Sequence, residues 1–201
     1  MKKGLLIALA VVAVLLIVPY MWFKGAQNAF VAGDEAVKSA WGDVQSTYQR
    51  RSDLIPNLVE TVKGFATHEK EILVSVTEAR SRVGQVKVDP QNLTADSVKK
   101  FQGAQGELSS ALSRLLVVAE NYPNLKANQN FLDLQSQLEG TENRINVARS
   151  RFNEAAKAYN TKIRTFPDSL IANMLGFAQR PYFEAEAAAQ SAPKVNFGKP
   201  N

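Results

Sequence analysis

Residues 37–65 read VKSAWGDVQSTYQRRSDLIPNLVETVKGF, and this stretch decides the fold. Val37, Trp41, Val44, Tyr48, Arg51, Ile55, Leu58, Val62 and Phe65 succeed one another at alternating steps of four and three residues. That seven-residue period lays nine side chains along one stripe of an α-helix, and eight of the nine are apolar or aromatic. Pro56 falls inside the run without shifting its register. A bent but continuous helix is therefore predicted, because proline removes one backbone hydrogen bond and bends the rod without ending it.

Toward the N-terminus, Gly4 to Phe23 are twenty consecutive positions without a charge. At ~1.5 Å per residue they make a helix of ~30 Å, the thickness of a bilayer's hydrocarbon core. Twelve of the twenty are Leu, Ile, Val or Phe, which favours insertion by roughly 4–7 kcal/mol. Pro19 lies near the far end, and Tyr20 and Trp22 suit the membrane interface. A cleaved signal peptide would need small residues at positions −3 and −1 of a site just after the run, but Ala26 pairs with Lys24 and Gly25 with Phe23. With no cysteine for lipid attachment, an uncleaved anchor is expected. Lys2 and Lys3 precede the span, while the next stretch mixes Lys24, Asp34, Glu35 and Lys38. The positive-inside rule then sets the N-terminus in the cytoplasm and the remainder on the outer or periplasmic side of the cell inner membrane.

Toward the C-terminus, Lys63-Gly64 reads as a helix end, and Thr67 with Glu69 and Glu71 as a helix start, which puts a turn at 64–68. Ile72, Val76, Ala79 and Val83 can continue the apolar stripe, and Gly84 to Asn92 form a loop around Asp89-Pro90. Thr94 can cap a third helix bearing Val98, Phe101, Leu108, Leu112 and Leu115. After the break at Asn121-Tyr-Pro-Asn124, Phe131, Leu134, Leu138, Thr141, Ile145, Ala148, Phe152, Ala155 and Tyr159 mark a last long helix, stopped by Phe166-Pro167. Taken as residues 26–64 and 124–165, the first and fourth helices are ~58 and ~63 Å long, matched for antiparallel packing. The predicted architecture is all-α: an anchor at 1–24, an antiparallel four-helix bundle over 25–183 whose last helix returns toward the membrane, and a flexible tail at 184–201. Ser169 to Leu175 form a short apolar helix ended by Gly176. Its Leu170, Ile171, Met174 and Leu175, with Phe177, are expected to close the bottom of the bundle, the alternative being immersion in the bilayer surface.

The chain has 24 Lys plus Arg, 19 Asp plus Glu, one His and no Cys among 201 residues. The missing cysteine excludes a disulfide scaffold, a thiol nucleophile and Cys-based zinc or iron–sulfur sites. His68-Glu69 matches half of a zinc-protease motif, yet a second histidine is lacking, so neither a metal site nor a cofactor is expected and His68 reads as a helix-start residue. Gly103-Ala-Gln-Gly106 lacks the strand and glycine spacing of a nucleotide loop. Three of the basic residues, Lys2, Lys3 and Lys24, flank the span; without residues 1–24 the net charge drops from +5 to +2, which leaves no basic face for nucleic acid.

Arg51 and Thr141 interrupt apolar seams. An unpaired guanidinium in a bundle core costs several kcal/mol, so Arg51 is expected to pair with Glu142 in a polar layer that fixes helix register, with Glu139, Asp53 and Glu60 as alternative partners. Arg50, Arg51, Asp53, Asn57, Glu60, Asn128, Glu142 and Arg144 are the candidate layer or interaction residues; a peptide- or ligand-binding cleft is the functional alternative. Asn124 suits a helix cap, and Asn128 a contact with a partner's backbone.

Several blocks carry a family resemblance: Tyr48-Gln-Arg-Arg-Ser-Asp-Leu-Ile-Pro-Asn-Leu-Val-Glu-Thr-Val-Lys63 with His68-Glu69, Leu112-Ser-Arg-Leu-Leu116, Glu120-Asn-Tyr-Pro-Asn-Leu-Lys-Ala-Asn128, Leu138-Glu-Gly-Thr-Glu-Asn-Arg-Ile145, Ala148-Arg149, Tyr159-Asn160 and Phe166-Pro167. In this order, over about residues 1–183, the chain resembles the LemA family of bacterial membrane proteins. It departs at Gln27-Asn28, where the family commonly has Tyr-Asn. The resemblance implies a four-helix bundle without an established enzymatic activity. Family genes often stand beside one for a membrane zinc metalloprotease, which implies membrane protein quality control; some relatives implicated in magnetosome membranes imply membrane organisation instead. The expectation is a noncatalytic protein that binds membrane or envelope proteins, or itself as a homo-oligomer. The alternative is a membrane-organising protein acting through oligomerisation and its amphipathic C-terminal segment.

Overall fold

A computed structural model describes residues 2–66 and 68–184. It is all-α among those residues: α1 (Lys2–Lys63), α2 (Lys70–Gln85), α3 (Ala95–Ala119), a single turn α4 (Pro123–Lys126), α5 (Gln129–Arg164) and α6 (Asp168–Leu175), with a 3₁₀ turn at Pro90–Asn92. The membrane segment and the first bundle helix are one object. α1 is 62 residues long and passes through both Pro19 and Pro56 unbroken, a rod of ~93 Å. Its residues 3–22 are exposed along their length, and burial begins at Phe23 and Ala26, so one helix is long and apolar enough to cross a membrane.

α1 and α5 are the principal pair. Gly33 lies against Tyr159, where the absent Cβ allows the ring to come within 3.1 Å of where that atom would sit. Trp41 meets Phe152 and Arg51 meets Glu142. One antiparallel register thus holds along the whole contact, and α5 runs back toward the membrane. α2 and α3 form the second antiparallel pair, tied by Arg82–Glu107. Buried side chains fall into two clusters. The membrane-proximal one contains Phe30, Trp41, Phe101, Phe152 and Ile171; the distal one contains Ile55, Leu58, Val76, Leu108, Leu115 and Phe131.

The helix signals hold at several ends. Thr94 and Ser97 make a reciprocal capping box, and Gly176 ends α6 in the left-handed region at φ 76°, a conformation that costs glycine least. Elsewhere the expected boundaries shift. α5 begins at Gln129, five residues beyond 124, because Pro123–Lys126 forms its own turn with Leu125 fully buried in the distal cluster. Asn128, not Asn124, is the cap, its side chain accepting the Phe131 N–H. Phe65 is 40% exposed and Ala66 takes its place in the core, since α1 has ended at Lys63. Ala156 rather than Ala155 is the fully buried member of the α5 stripe. Thr67 and the tail beyond Glu184, expected as a helix start and a flexible segment, lie outside the described residues.

Candidate functional site

Each long helix of the bundle supplies polar groups at one level between the two apolar clusters. Arg51 on α1, Gln105 on α3 and Thr141 on α5 each interrupt their helix's buried stripe and are themselves buried. The Arg51 guanidinium donates to the Gln105 side-chain oxygen (2.6 Å) and backbone carbonyl (3.3 Å), to Ser109 Oγ (2.9 Å) and to Glu142 Oε2 (2.9 Å), and it lies 5.0 Å from the centre of the Tyr48 ring. Its Nε is the one atom of the group without a partner. Thr141 turns its hydroxyl to the Gln137 carbonyl, 2.7 Å away, and so needs nothing from across the layer.

α2 contributes through a backbone vacancy. A proline at position 56 offers no N–H to the carbonyl four residues before it, that of Ser52. Ser52 is buried, and Arg80 Nε donates to its carbonyl at 3.0 Å. The orphan acceptor made by Pro56 is thereby satisfied by a neighbouring helix, as buried backbone groups require, and the same bond ties α2 to α1.

Of the residues proposed from the sequence, the structure brings together only Arg51 and Glu142. Arg50, Asp53, Asn57, Glu60 and Arg144 are exposed. Asp53 accepts from Gln49, and Glu60 pairs with Lys63, each within one turn of α1. These side chains share α1 or α5 with the layer but point from the opposite faces, a matter of helix phase. Asn128 is spent as a cap. Gln105, Ser109 and Arg80 are the members that sequence reasoning missed; Gln105 had a signal, since it falls between Phe101 and Leu108 on the apolar stripe of α3. His68 is exposed in the turn. Above the layer, Arg51, Ser109 and Glu142 border an open hollow of about 350 Å³ between α3 and α5, walled by Leu112, Leu116 and Leu138. The layer's donors and acceptors are mostly turned on one another across helix interfaces, an arrangement that locks register.

A second constellation had no expectation behind it. After α6 the chain turns back up the bundle as an extended strap. Asn160 donates to the Arg180 carbonyl and accepts its N–H, both at 2.8 Å. Asn153 does the same for Phe183, at 3.1 and 2.8 Å. The spacing explains the match: seven helical residues rise ~10 Å, and three extended residues also span ~10 Å. Phe183 then enters the proximal core, stacked on Trp41 at 5.7 Å with the planes 19° apart. Arg180 reaches Asp34, which Lys38 also binds at 2.9 Å. Hydrogen bonds to Glu35 and Asp34 raise the Lys38 pKa above its ordinary value. Burial, reinforced by the Asp34 charge, raises that of Tyr159. Asn153 and Asn160, one heptad apart on α5, were the available signal, legible only once a partner strand was known. Among the described residues no cluster of His, Cys, Asp or Glu is arranged to hold a metal.

A family model described as LemA family matches residues 40–197. The magnetosome protein MamQ 2 of Paramagnetospirillum magneticum is 27% identical over 94% of this chain and 76% of its own length. The protein LemA of Metamycoplasma hominis is 23% identical over 83% of this chain and 72% of its own.

Proposed function

The chain belongs to the LemA family, and on that premise we propose that this membrane-associated protein is a noncatalytic interaction module of the cell envelope. Residues 4–23 anchor it in the inner membrane with the N-terminus in the cytoplasm, and its bundle engages membrane or envelope proteins on the other side. The observation that carries the reading is the continuity of α1 from the apolar segment into both core clusters. With no linker between span and bundle, the attitude of the bundle is set by one rod, which suits a device that presents a surface at fixed height. Buried Arg51 and Asn160 support it too, since they are engaged in ties between helices and to the strap.

Near the end of the bundle away from the span, α1 and α2 enclose a hollow of about 520 Å³, floored by Val59, Leu73, Val74 and Thr77 and rimmed by Glu60, Lys63, Lys70 and Glu78. It stands ~54 Å along α1 from Phe23. An apolar floor with a mixed-charge rim has the anatomy of a protein-binding patch. Assistance to a membrane metalloprotease in protein quality control, which the family resemblance implies, is one use for such a surface. A second reading, organisation of the membrane itself by self-associated bundles, draws on the magnetosome names of relatives and on the apolar outer face of α6.

The test is photocrosslinking of the full chain in native membranes from Val74 and, as a control, from Ser136 on the exposed face of α5. A reproducible protein adduct confined to Val74 is expected; equal yields from both positions overturn the assignment of this surface. Ser136→Cys, unique in a chain without cysteine, reports orientation: a membrane-impermeant maleimide labels it in intact cells if the bundle lies outside.

A further inference from the structure

We propose that α6 is a second membrane contact, a short helix seated in the headgroup region of the bilayer that α1 crosses; this rests on the reading that residues 4–23 span that bilayer. One face of α6 closes the proximal core, with Asp168, Ile171 and Ala172 buried. The opposite face is apolar and uncovered. Leu170 is 62% and Met174 67% exposed, and Phe166, in the turn just before the helix, is 76% exposed.

Height decides what covers this face. The register set by Gly33–Tyr159, Trp41–Phe152 and Arg51–Glu142, continued downward, brings Phe166 level with Ala26 or Gln27. That is about three residues, or ~5 Å, above the end of the uncharged run at Phe23, inside the headgroup layer that adds roughly 5–8 Å to each side of the hydrocarbon. The other end stands higher, for Phe177 packs edge-to-face on Phe30, with ring centres 5.3 Å apart, seven residues or ~10 Å above Phe23 and just past the outer edge of that layer. The two ends of α6 therefore differ by only about four α1 residues, or ~6 Å, in height, whereas an eight-residue helix is ~12 Å long. α6 lies across the rod, rising about 30° out of the membrane plane, so that its N-terminal half sits in the headgroup layer, with Leu170 and Met174 directed away from the bundle. Phe23, the last residue of the run, itself packs against the same core cluster.

Charge fits the same occupant. Lys162 neutralises Asp168 at 2.7 Å, while Lys24 and Arg164 are exposed at this height and are free to meet anionic headgroups. Apolar residues on one side and cations at the rim are the signature of an interfacial helix. With the span as one point of attachment and α6 as another, the bundle cannot rotate about the α1 axis, and its distal hollow faces a fixed direction along the membrane.

The test places an environment-sensitive bimane on single cysteines of the full chain in nanodiscs of phosphatidylcholine and phosphatidylglycerol. The positions are Leu170→Cys, Met174→Cys, Val11→Cys within the span, and Ser136→Cys on the outer face. Blue-shifted emission at 170 and 174, quenched by lipid spin-labelled near the headgroup and absent at 136, is the expected result. Quenching at 11 but not at 170 or 174 overturns the inference while leaving the span intact. A blue shift at 170 without lipid quenching also overturns it, because a second copy or another protein then covers the face. No quenching at 11 by lipid spin-labelled toward the end of its acyl chain overturns the span and the inference together.

Discussion

The tie between Arg80 and the Ser52 carbonyl depends on a proline one helical turn further along α1. Arg80→Leu removes the donor and leaves a buried carbonyl that Pro56 cannot satisfy. A charge-assisted hydrogen bond to a buried acceptor, once broken, costs about 1.5–3 kcal/mol. For a chain of this size that lowers the melting temperature by roughly 3–12 °C, taking ~2–4 °C per kcal/mol. In a Pro56→Ala background the result changes, since alanine restores the backbone N–H and α1 can satisfy Ser52 within itself. There the loss of Arg80 is expected to cost under about 1 kcal/mol, the worth of packing and a redundant bond. The assay is a double-mutant cycle on the full chain in mild detergent, read by urea denaturation and by thermal melting. A coupling of about 1–2 kcal/mol between positions 56 and 80 is expected. Equal losses in both backgrounds would refute the claim that Arg80 fills the place of the missing amide.

Glu142→Leu leaves the Arg51 guanidinium buried with one fewer acceptor, and should cost about 1–3 kcal/mol, discounted from the fully buried case because the Glu142 side chain is half exposed. Arg51→Leu with Glu142→Leu should cost less than the two singles summed, and strict additivity in denaturation would show that the pair carries no coupling. Asn160→Ala should speed hydrogen exchange at the Arg180 amide, and Asn153→Ala at the Phe183 amide, each by the loss of a side-chain acceptor; unchanged exchange at both would mean that the strap is held by its aromatic contacts alone. Lys38 and Tyr159 both hold their protons more tightly in the folded state than in the unfolded one. Past about pH 10 the folded state therefore retains more protons than the unfolded state, and stability falls there while staying flat with respect to these groups below about 9. Tyr159→Phe should remove part of that alkaline loss in melts taken across this range, and an identical alkaline profile would refute the assignment.

The all-helical fold was legible because its signals are local. The seven-residue stripe from Val37 to Val62, the uncharged run before it, Thr94 as a cap and Gly176 as a stop all act through the chain's own next turn, and each appears where the pattern put it. The pairing of Arg51 with Glu142 was legible for a related reason: a charge on a core stripe must find a partner, and the returning helix offered few. Errors arose where phase or competition mattered. Arg50, Asp53 and Asn57 neighbour Arg51 in sequence, yet 100° per residue turns them to water. Asn124 and Asn128 are equal as caps on paper, and burial of Leu125 chose between them.

What the sequence determined alone is therefore the set of helices, their apolar faces and the apolar segment that one of them carries, because periodicity and capping are properties of a single segment. Tertiary structure alone decided that span and bundle share one rod, that Arg80 repairs the backbone gap left by Pro56, and that Asn153 and Asn160 grip a strap returning from α6. In the last two the groups that meet come from segments far apart in the chain, and the energy that joins them exists only when packing brings a donor to an acceptor the local pattern had left unfilled.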